Sequence, residues 1–334
     1  MSQPILVTGC AGFIGANFVK QFKTQFPDRR VIGIDDFSSG RRDALDPTIT
    51  FYEGSILDKQ LLTKIFSTHT PEYVFHFAAM PRVSLSVDYP AETTAANILG
   101  TVQVFDQARK NGTKRVIFSS SSSVYGGADK MPTREDENPP NPQSPYALQK
   151  WACEPFAQMF SKLYGLDTVC LRYFNVFGPG QYGDAPYSTV MSAWLEALYF
   201  PKTGKDGKLK RAFLEGDGTQ SRDFCYVENV VSANILAMQH TEPLRGAVFN
   251  VGHGERTSLI EVKDLIEKYT GQKLDLELRA PRVGDVKHTQ ADISKATKIL
   301  GYKPLVNFEE GLKRTVAWFN QRKARSKSKA ELAV

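Results

Sequence analysis

The chain has 334 residues, 41% of them hydrophobic, which is enough to bury one large core or two modest ones and too apolar for a disordered chain. Its net charge of +6 gathers largely in the polar insertion PKTGKDGKLKR at 201–211 and the terminal run QRKARSKSKAELAV. Neither interleaves aromatics with its cations, which argues against nucleic acid as a partner and leaves a small anionic substrate as the better fit.

Nothing approaches the roughly 18 apolar residues of a membrane helix, and the start MSQPILVTG lacks a basic leader, so we expect a cytosolic (cytoplasmic) protein with no membrane partner. The cysteines Cys10, Cys153, Cys170 and Cys225 form no CxxC and the five histidines no HExxH; buried thiols and no metal are expected.

Taken in order, ILVTG, RVIGIDD, ITFYEG, YVFHFAA, RVIFSS and DTVCLRYFN are short β-branched runs separated by longer amphipathic stretches. Such alternation predicts βαβ crossovers and an α/β fold: a doubly wound, parallel-sheet Rossmann domain over about 1–180. Beyond Gly178 come a helix at 186–200, a strand at AFLEG, a helix at 228–240, a strand at AVFNVG, a helix at SLIEVKDLIEKYTG, a strand at LDLELRA and a last helix from Asn307. We read 181–322 as a smaller α+β C-terminal substrate lobe, with part of its strand order open to return to the first domain, and 323–334 as a basic, flexible tail.

VTGCAGFIG sets Gly9, Gly12 and Gly15 at the turn from the first strand into the first helix. Glycine there allows a tight turn, close approach to a pyrophosphate and close helix-to-strand packing, and the helix start supplies N–H groups and positive dipole. Asp35 follows twenty residues after Gly15 at a strand end, where a carboxylate accepts both ribose hydroxyls. That acid favours NAD over NADP; Arg41 and Arg42, a few residues on, keep the second open.

SPYALQK places Tyr146 and Lys150 at i and i+4 on a helix that Ser144 can cap and Pro145 can begin. Lowering a phenol by about three pKa units takes roughly 4 kcal/mol, which a neighbouring ammonium and a charged nicotinamide ring can supply together. The run SSSSSVYG at 119–126 follows the apolar strand RVIF, an unusual place for a flexible serine linker.

Together GxxGxxG, FHFAA, NxxGT from Asn97, SSS-x-x-VYG, YxxxK, LRYFNVFGPGQ, RDFCYVEN and RVGD resemble the extended short-chain dehydrogenase/reductase family, most closely its NAD-dependent nucleotide-sugar 4-epimerases of the UDP-glucose and UDP-N-acetylglucosamine type, over roughly residues 4–320. The resemblance implies catalysis by Ser121, Tyr146 and Lys150, with tightly bound, recycled NAD. It assigns the cofactor to Gly9, Gly12, Phe13, Ile14, Gly15, Asp35, Phe37, Ser38 and Gly40. It adds Ser55 and Ile56 near adenine, Phe77, Ala78 and Ala79, Asn97 as a support of the helix geometry, then Ser119, Tyr146, Lys150 and Tyr173. Related dehydratases and decarboxylases carry an acid just after Ser121; here Ser122 and Ser123 stand instead, which favours reduction back to an alcohol, hence inversion at carbon 4.

For the UDP-sugar substrate the resemblance implies Arg222 and Arg282 at the diphosphate, Asn175 at a phosphate or sugar oxygen, and Asp285 at the uridine ribose. Val190, Trp194, Phe213 and Glu215 would line the nucleoside pocket, with Ser84 and Ser121 to Ser123 near the sugar. Thr289 occupies a gate where relatives restricted to UDP-glucose carry tyrosine. Its small side chain favours UDP-GlcNAc/UDP-GalNAc, with UDP-Glc/UDP-Gal also open. Two departures stand out. Ser55 replaces an expected Asp, and Arg82 stands where many relatives have Ser, which keeps a UDP-uronic acid open as substrate. A 4,6-dehydratase, a decarboxylase, a reductase and a silent NAD-responsive binding protein are the remaining alternatives. Helices 91–112 and 144–165 have apolar outer positions, and the resemblance, to relatives that dimerise through the equivalent pair, implies a homodimer.

Overall fold

The computed structural model describes residues 3–128, 130–184, 188–203, 211–280 and 286–331. The six early apolar runs form the strands Ile5–Thr8, Val31–Asp35, Thr50–Glu53, Tyr73–His76, Arg115–Ser121 and Asp167–Tyr173. With Ala247–Val251 they make one seven-stranded sheet, in the order 247–251, 167–173, 115–121, 73–76, 5–8, 31–35, 50–53, every pair parallel. The chain winds outward from Ile5–Thr8 in one direction and then returns to its other side with Tyr73–His76. Diverging connections on either side of the first strand open a crevice at the carboxyl ends.

A parallel sheet needs cover on both faces, and the first strand shows why its sequence has no polar alternation. Ile5 and Val7 pack with Phe18, Phe22 and Val230 on one side, while Leu6 packs with Leu62, Phe105 and Phe160 on the other. Helices Phe13–Gln25 and Val227–Gln239 cover the first face, and Lys59–His69, Gly100–Lys110 and Pro145–Tyr164 the second. The sequence expectation of a continuous helix over 91–112 is interrupted: a π turn, Ala95–Leu99, sits between Pro90–Thr94 and Gly100–Lys110.

The second lobe is built around Val190–Tyr199, Leu259–Thr270 and Phe308–Glu331, which bury Trp194, Leu195, Val262, Ile266 and Phe319. Strands Ala212–Glu215 and Leu276–Arg279 pair in parallel beside them. Beyond residue 181, the strand Ala247–Val251 and the helices Val227–Gln239 and Ser294–Leu300 belong to the large sheet layer. The last helix continues to Glu331, through most of the run read from sequence as a basic tail. All four cysteines are buried free thiols, and among the described residues no helix is long and apolar enough to cross a membrane.

Candidate active site

Two neighbouring cavities open over the carboxyl ends of the strands. The one of about 590 Å³ runs from the glycine turn, past Asp35, to Tyr146 and Lys150. Its neighbour of about 850 Å³ is walled by Asn175, Trp194, Phe213 and Arg222 of the second lobe. Arg82, Val176 and Thr189 line both and mark their border.

The glycine turn is as tight as its spacing predicts. Gly9 has φ 72°, and a Cβ on it would lie 2.7 Å from the Ala78 nitrogen; a Cβ on Gly15 would lie 2.0 Å from the Gly9 carbonyl oxygen. Gly12 is the N-cap of Phe13–Gln25 and has no side chain to cap it, so the helix start faces the cavity with its own N–H groups. Asp35, 8% exposed, accepts from the Ala11 N–H at 2.9 Å and the Phe37 N–H at 2.8 Å. Burial pushes its carboxyl up from the ordinary value, opposed by those hydrogen bonds. Arg42 is spent on Glu53 and on the Phe37 ring, and Arg41 on Asp43, Asp184 and the Tyr182 ring. Both arginines have carboxylate partners of their own, and a carboxylate at Asp35 fits the ribose hydroxyls of NAD.

The five serines divide the work of a strand end. Ser119 donates to the Tyr173 hydroxyl at 3.1 Å, and its carbonyl accepts from Lys150 Nζ at 2.8 Å. Ser120, pointing to the opposite face, donates at 2.6 Å to Glu154, whose carboxylate grips buried Arg172 at 2.9 and 2.7 Å. Ser121 lies beside the Tyr146 phenol and accepts from the Ser123 hydroxyl at 2.9 Å. The strand ends there, and Ser122–Tyr125 forms a 3-10 turn.

Ser144 caps the next helix through the Ala147 N–H at 3.2 Å and Pro145 begins it. Tyr146 and Lys150 therefore share a face, the ammonium 6.0 Å from the phenol ring centre. Burial pushes the phenol up to about 12, with Ser121 pulling the other way; burial brings the Lys150 ammonium down to about 8. Behind them, buried His76 joins Thr8 at 2.7 Å and Thr101 at 2.9 Å, and Thr101 donates to the Asn97 carbonyl at 2.6 Å. Thr101 must then accept from His76, which fixes the imidazole as a neutral Nε2–H tautomer. Burial, with Lys150 nearby, lowers its pKa to about 3.

Most residues expected at the cofactor lie on the smaller cavity; Phe37 and Asn97 do not. Phe37, at φ 57°, serves through its N–H on Asp35. Asn97 lies in the π turn, 1% exposed, and holds the main chain of Met80. On the substrate side Ser84, Asn175, Val190, Trp194, Phe213, Glu215 and Arg222 line the larger cavity with Arg82. Ser121, Ser122, Ser123 and Thr289 line neither; Thr289 Oγ1 accepts from Asn175 Nδ2 at 3.2 Å and the Asp223 N–H at 3.3 Å, so it acts on the wall from behind. Arg282, Asp285 and most of the 201–211 insertion lie outside the described residues.

The sequence reading missed Gln181 and Tyr182, which also wall the cofactor side. Tyr182 is stacked between Arg41 at 3.9 Å and Arg322 at 4.6 Å. An aromatic in the Gly-rich run GPGQYG was the available signal.

Residues 5–252 match the model of the NAD dependent epimerase/dehydratase family. The chain is 36% identical over 326 residues to a UDP-glucose 4-epimerase of Mycolicibacterium smegmatis, covering 95% of this chain and 98% of that protein. Among solved structures it is similar to the UDP-glucose 4-epimerase of Thermotoga maritima with UDP-glucose (TM-score 0.88, 38% identity, 96% of this chain and 99% of that one). It is also similar to a UDP-N-acetylglucosamine 4-epimerase of Methanobrevibacter ruminantium in complex with UDP-N-acetylmuramic acid (TM-score 0.86, 37% identity, 96% and 99%). The glycine turn, the Asp35 carboxylate and the Tyr146–Lys150 pair line one cavity, and the chain belongs to the NAD dependent epimerase/dehydratase family, with NAD as its cofactor.

Proposed function

We propose that the protein is an isomerase, a UDP-sugar 4-epimerase that inverts carbon 4 through a 4-keto sugar. One observation carries this reading: the Tyr146 phenol lies beside Ser121 on a strand end that continues as Ser122 and Ser123, with no carboxylic acid there to drive elimination. NAD, when bound, supplies the hydride acceptor and donor that turn a carbinol into a ketone and back, along with a fixed positive charge.

The protein's own groups manage the proton. Tyr146 takes it from the 4′-hydroxyl and later returns it, and Ser121 holds that oxygen. Phenol and ammonium must titrate toward each other, because burial alone leaves one near 12 and the other near 8; each added positive charge beside the phenol lowers it. Lys150, anchored on the Ser119 carbonyl, is placed for that and for a ribose hydroxyl. On the other side of the border Arg222 meets the diphosphate, and Trp194, with its indole N–H held by the Phe213 carbonyl at 2.9 Å, walls the nucleoside.

We take the acetylated pair UDP-GlcNAc/UDP-GalNAc as substrates alongside UDP-Glc/UDP-Gal, supported by small Thr289 behind Asn175. A tyrosine there would push that wall inward, so Thr289→Tyr should suppress the acetylated sugar selectively. A homodimer is the assembly we propose, supported by exposed Leu148, Phe156, Met159 and Leu163 on one helix beside Leu99 of its neighbour. The functional reading is tested by incubating purified protein with each UDP-sugar, without added NAD, and following the anomeric and carbon-4 protons by NMR. Interconversion of the epimers is expected; a 4-keto-6-deoxy or decarboxylated product overturns the reading.

A further inference from the structure

Arg82 is held in a conformation its side chain opposes. At φ 96° and ψ 124° it has the backbone of a glycine. Strain of this kind persists only where neighbours over-determine it, and it collects at binding sites. Both neighbours of Arg82 are tied down. On one side the Asn97 amide accepts from the Met80 N–H at 2.8 Å and donates to its carbonyl at 3.0 Å. On the other, the Arg82 carbonyl opens the short helix Val83–Asp88, whose Ser86 hydroxyl accepts from the Tyr146 N–H at 2.9 Å. The strained residue is thereby pinned to the helix that carries the reacting phenol.

Among the described residues no carboxylate forms an ion pair with its guanidinium. Arg82 is half-buried, lines both cavities at their border, and among the described residues makes no side-chain hydrogen bond or ion pair. Asp184 is the carboxylate whose field it feels, and Asp184 is bound to Arg41 at 3.4 Å. A cation withdrawn from water costs free energy until an anion pairs with it. Any anion here comes from the ligand. A nucleotide sugar offers two kinds, its diphosphate and a carboxylate on the ring. The diphosphate has Arg222 within the lobe cavity, whereas Arg82 is tethered through Ser86 to the helix of Tyr146 and lines the same cavity as that phenol. A planar carboxylate is also the partner a guanidinium fork fits in two parallel bonds.

We propose that Arg82 is a specificity determinant that binds a carboxylate on the sugar, so that the site accepts a UDP-hexuronic acid. This inference rests on the 4-epimerase reading above. The test exploits the backbone. Arg82→Gly removes the cation and relieves the strain, so the variant should unfold at the same temperature as the parent or higher, which separates lost recognition from lost folding. Kinetics are measured on UDP-glucuronic acid and UDP-glucose. The ratio of their kcat/KM values should fall by about 10- to 100-fold in the glycine variant, the usual worth of a charged hydrogen-bonded pair, and Arg82→Lys should restore part of it. A ratio that does not move overturns the proposal. So does a loss shared by both sugars with weaker inhibition by UDP, which would place Arg82 on the diphosphate. If the parent epimerises none of UDP-glucuronic acid, UDP-glucose and UDP-GlcNAc, the epimerase reading has failed on its own, and calorimetric binding of the first two compounds to parent and glycine variant decides the carboxylate question.

Discussion

Asn97 grips the main chain of Met80 at both ends, through its carbonyl oxygen at 2.8 Å and its amide nitrogen at 3.0 Å, and spends its other amide hydrogen on Gln149 at 2.8 Å. One side chain seventeen residues away thus replaces the hydrogen bonds a strand would have given that loop. Asn97→Ala leaves a donor and an acceptor of Met80 unpaired at a partly buried place on the cavity wall. We expect a loss of about 3 kcal/mol in urea unfolding, and a rise in KM for UDP-sugars as the Met80–Arg82 segment loosens. Unchanged KM with the full stability loss would make Asn97 purely structural.

The Tyr146–Lys150 pair predicts a pH profile. Beside a neutral phenol Lys150 would lose its proton as pH rises through about 8, and the phenolate of the active pair raises that value in turn. kcat/KM should therefore fall on the alkaline side only above about pH 8, and Lys150→Arg, which stays charged, should move that limb upward. Tyr146→Phe should lower turnover at least about a hundredfold at every pH, while leaving NAD content unchanged.

Gly15 stands where helix and strand touch. Its added methyl would meet the Gly9 carbonyl at 2.0 Å, so Gly15→Ala must shift the turn that faces the pyrophosphate. The purified variant should carry little NAD, read from the absorbance of released nucleotide, and regain activity only when NAD is added. Full NAD content in that variant would remove the turn from the cofactor site.

His76 is fully buried and neutral, with a pKa lowered from 6.5 to about 3. The unfolded chain binds a proton at this residue between those values while the folded protein does not, so stability from this group is complete above about pH 6.5 and is lost as pH falls toward 3. His76→Gln should flatten the pH dependence of the unfolding midpoint between 6.5 and 5, although it lowers the midpoint itself.

How legible was this in the sequence? The six strands were, because a sheet buried on both faces writes unbroken runs such as ILVT and RVIF, and the glycine turn was, because only glycine survives a 2.0 Å approach. The serine run was legible as strand end rather than linker, although not its division of labour: the alternation of a pleated strand sends Ser120 to Glu154 and Ser119 and Ser121 toward the site. What stayed hidden depends on contacts far apart in the chain. The π turn at Ala95–Leu99 has no local signature in AANIL, and Thr289 reads as a wall residue until Asn175 is seen in front of it. Arg82 was visible as an oddity of type, and its left-handed backbone was not.

The central claim is that Tyr146 and its bound cofactor remove hydrogen from carbon 4 and put the same hydrogen back. A UDP-sugar deuterated at carbon 4, incubated with the protein in ordinary water without added NAD, measures this directly by NMR and mass spectrometry. The account predicts the opposite epimer with deuterium still on carbon 4. Epimer carrying solvent hydrogen at that carbon, or no epimer from any UDP-sugar offered, would contradict it.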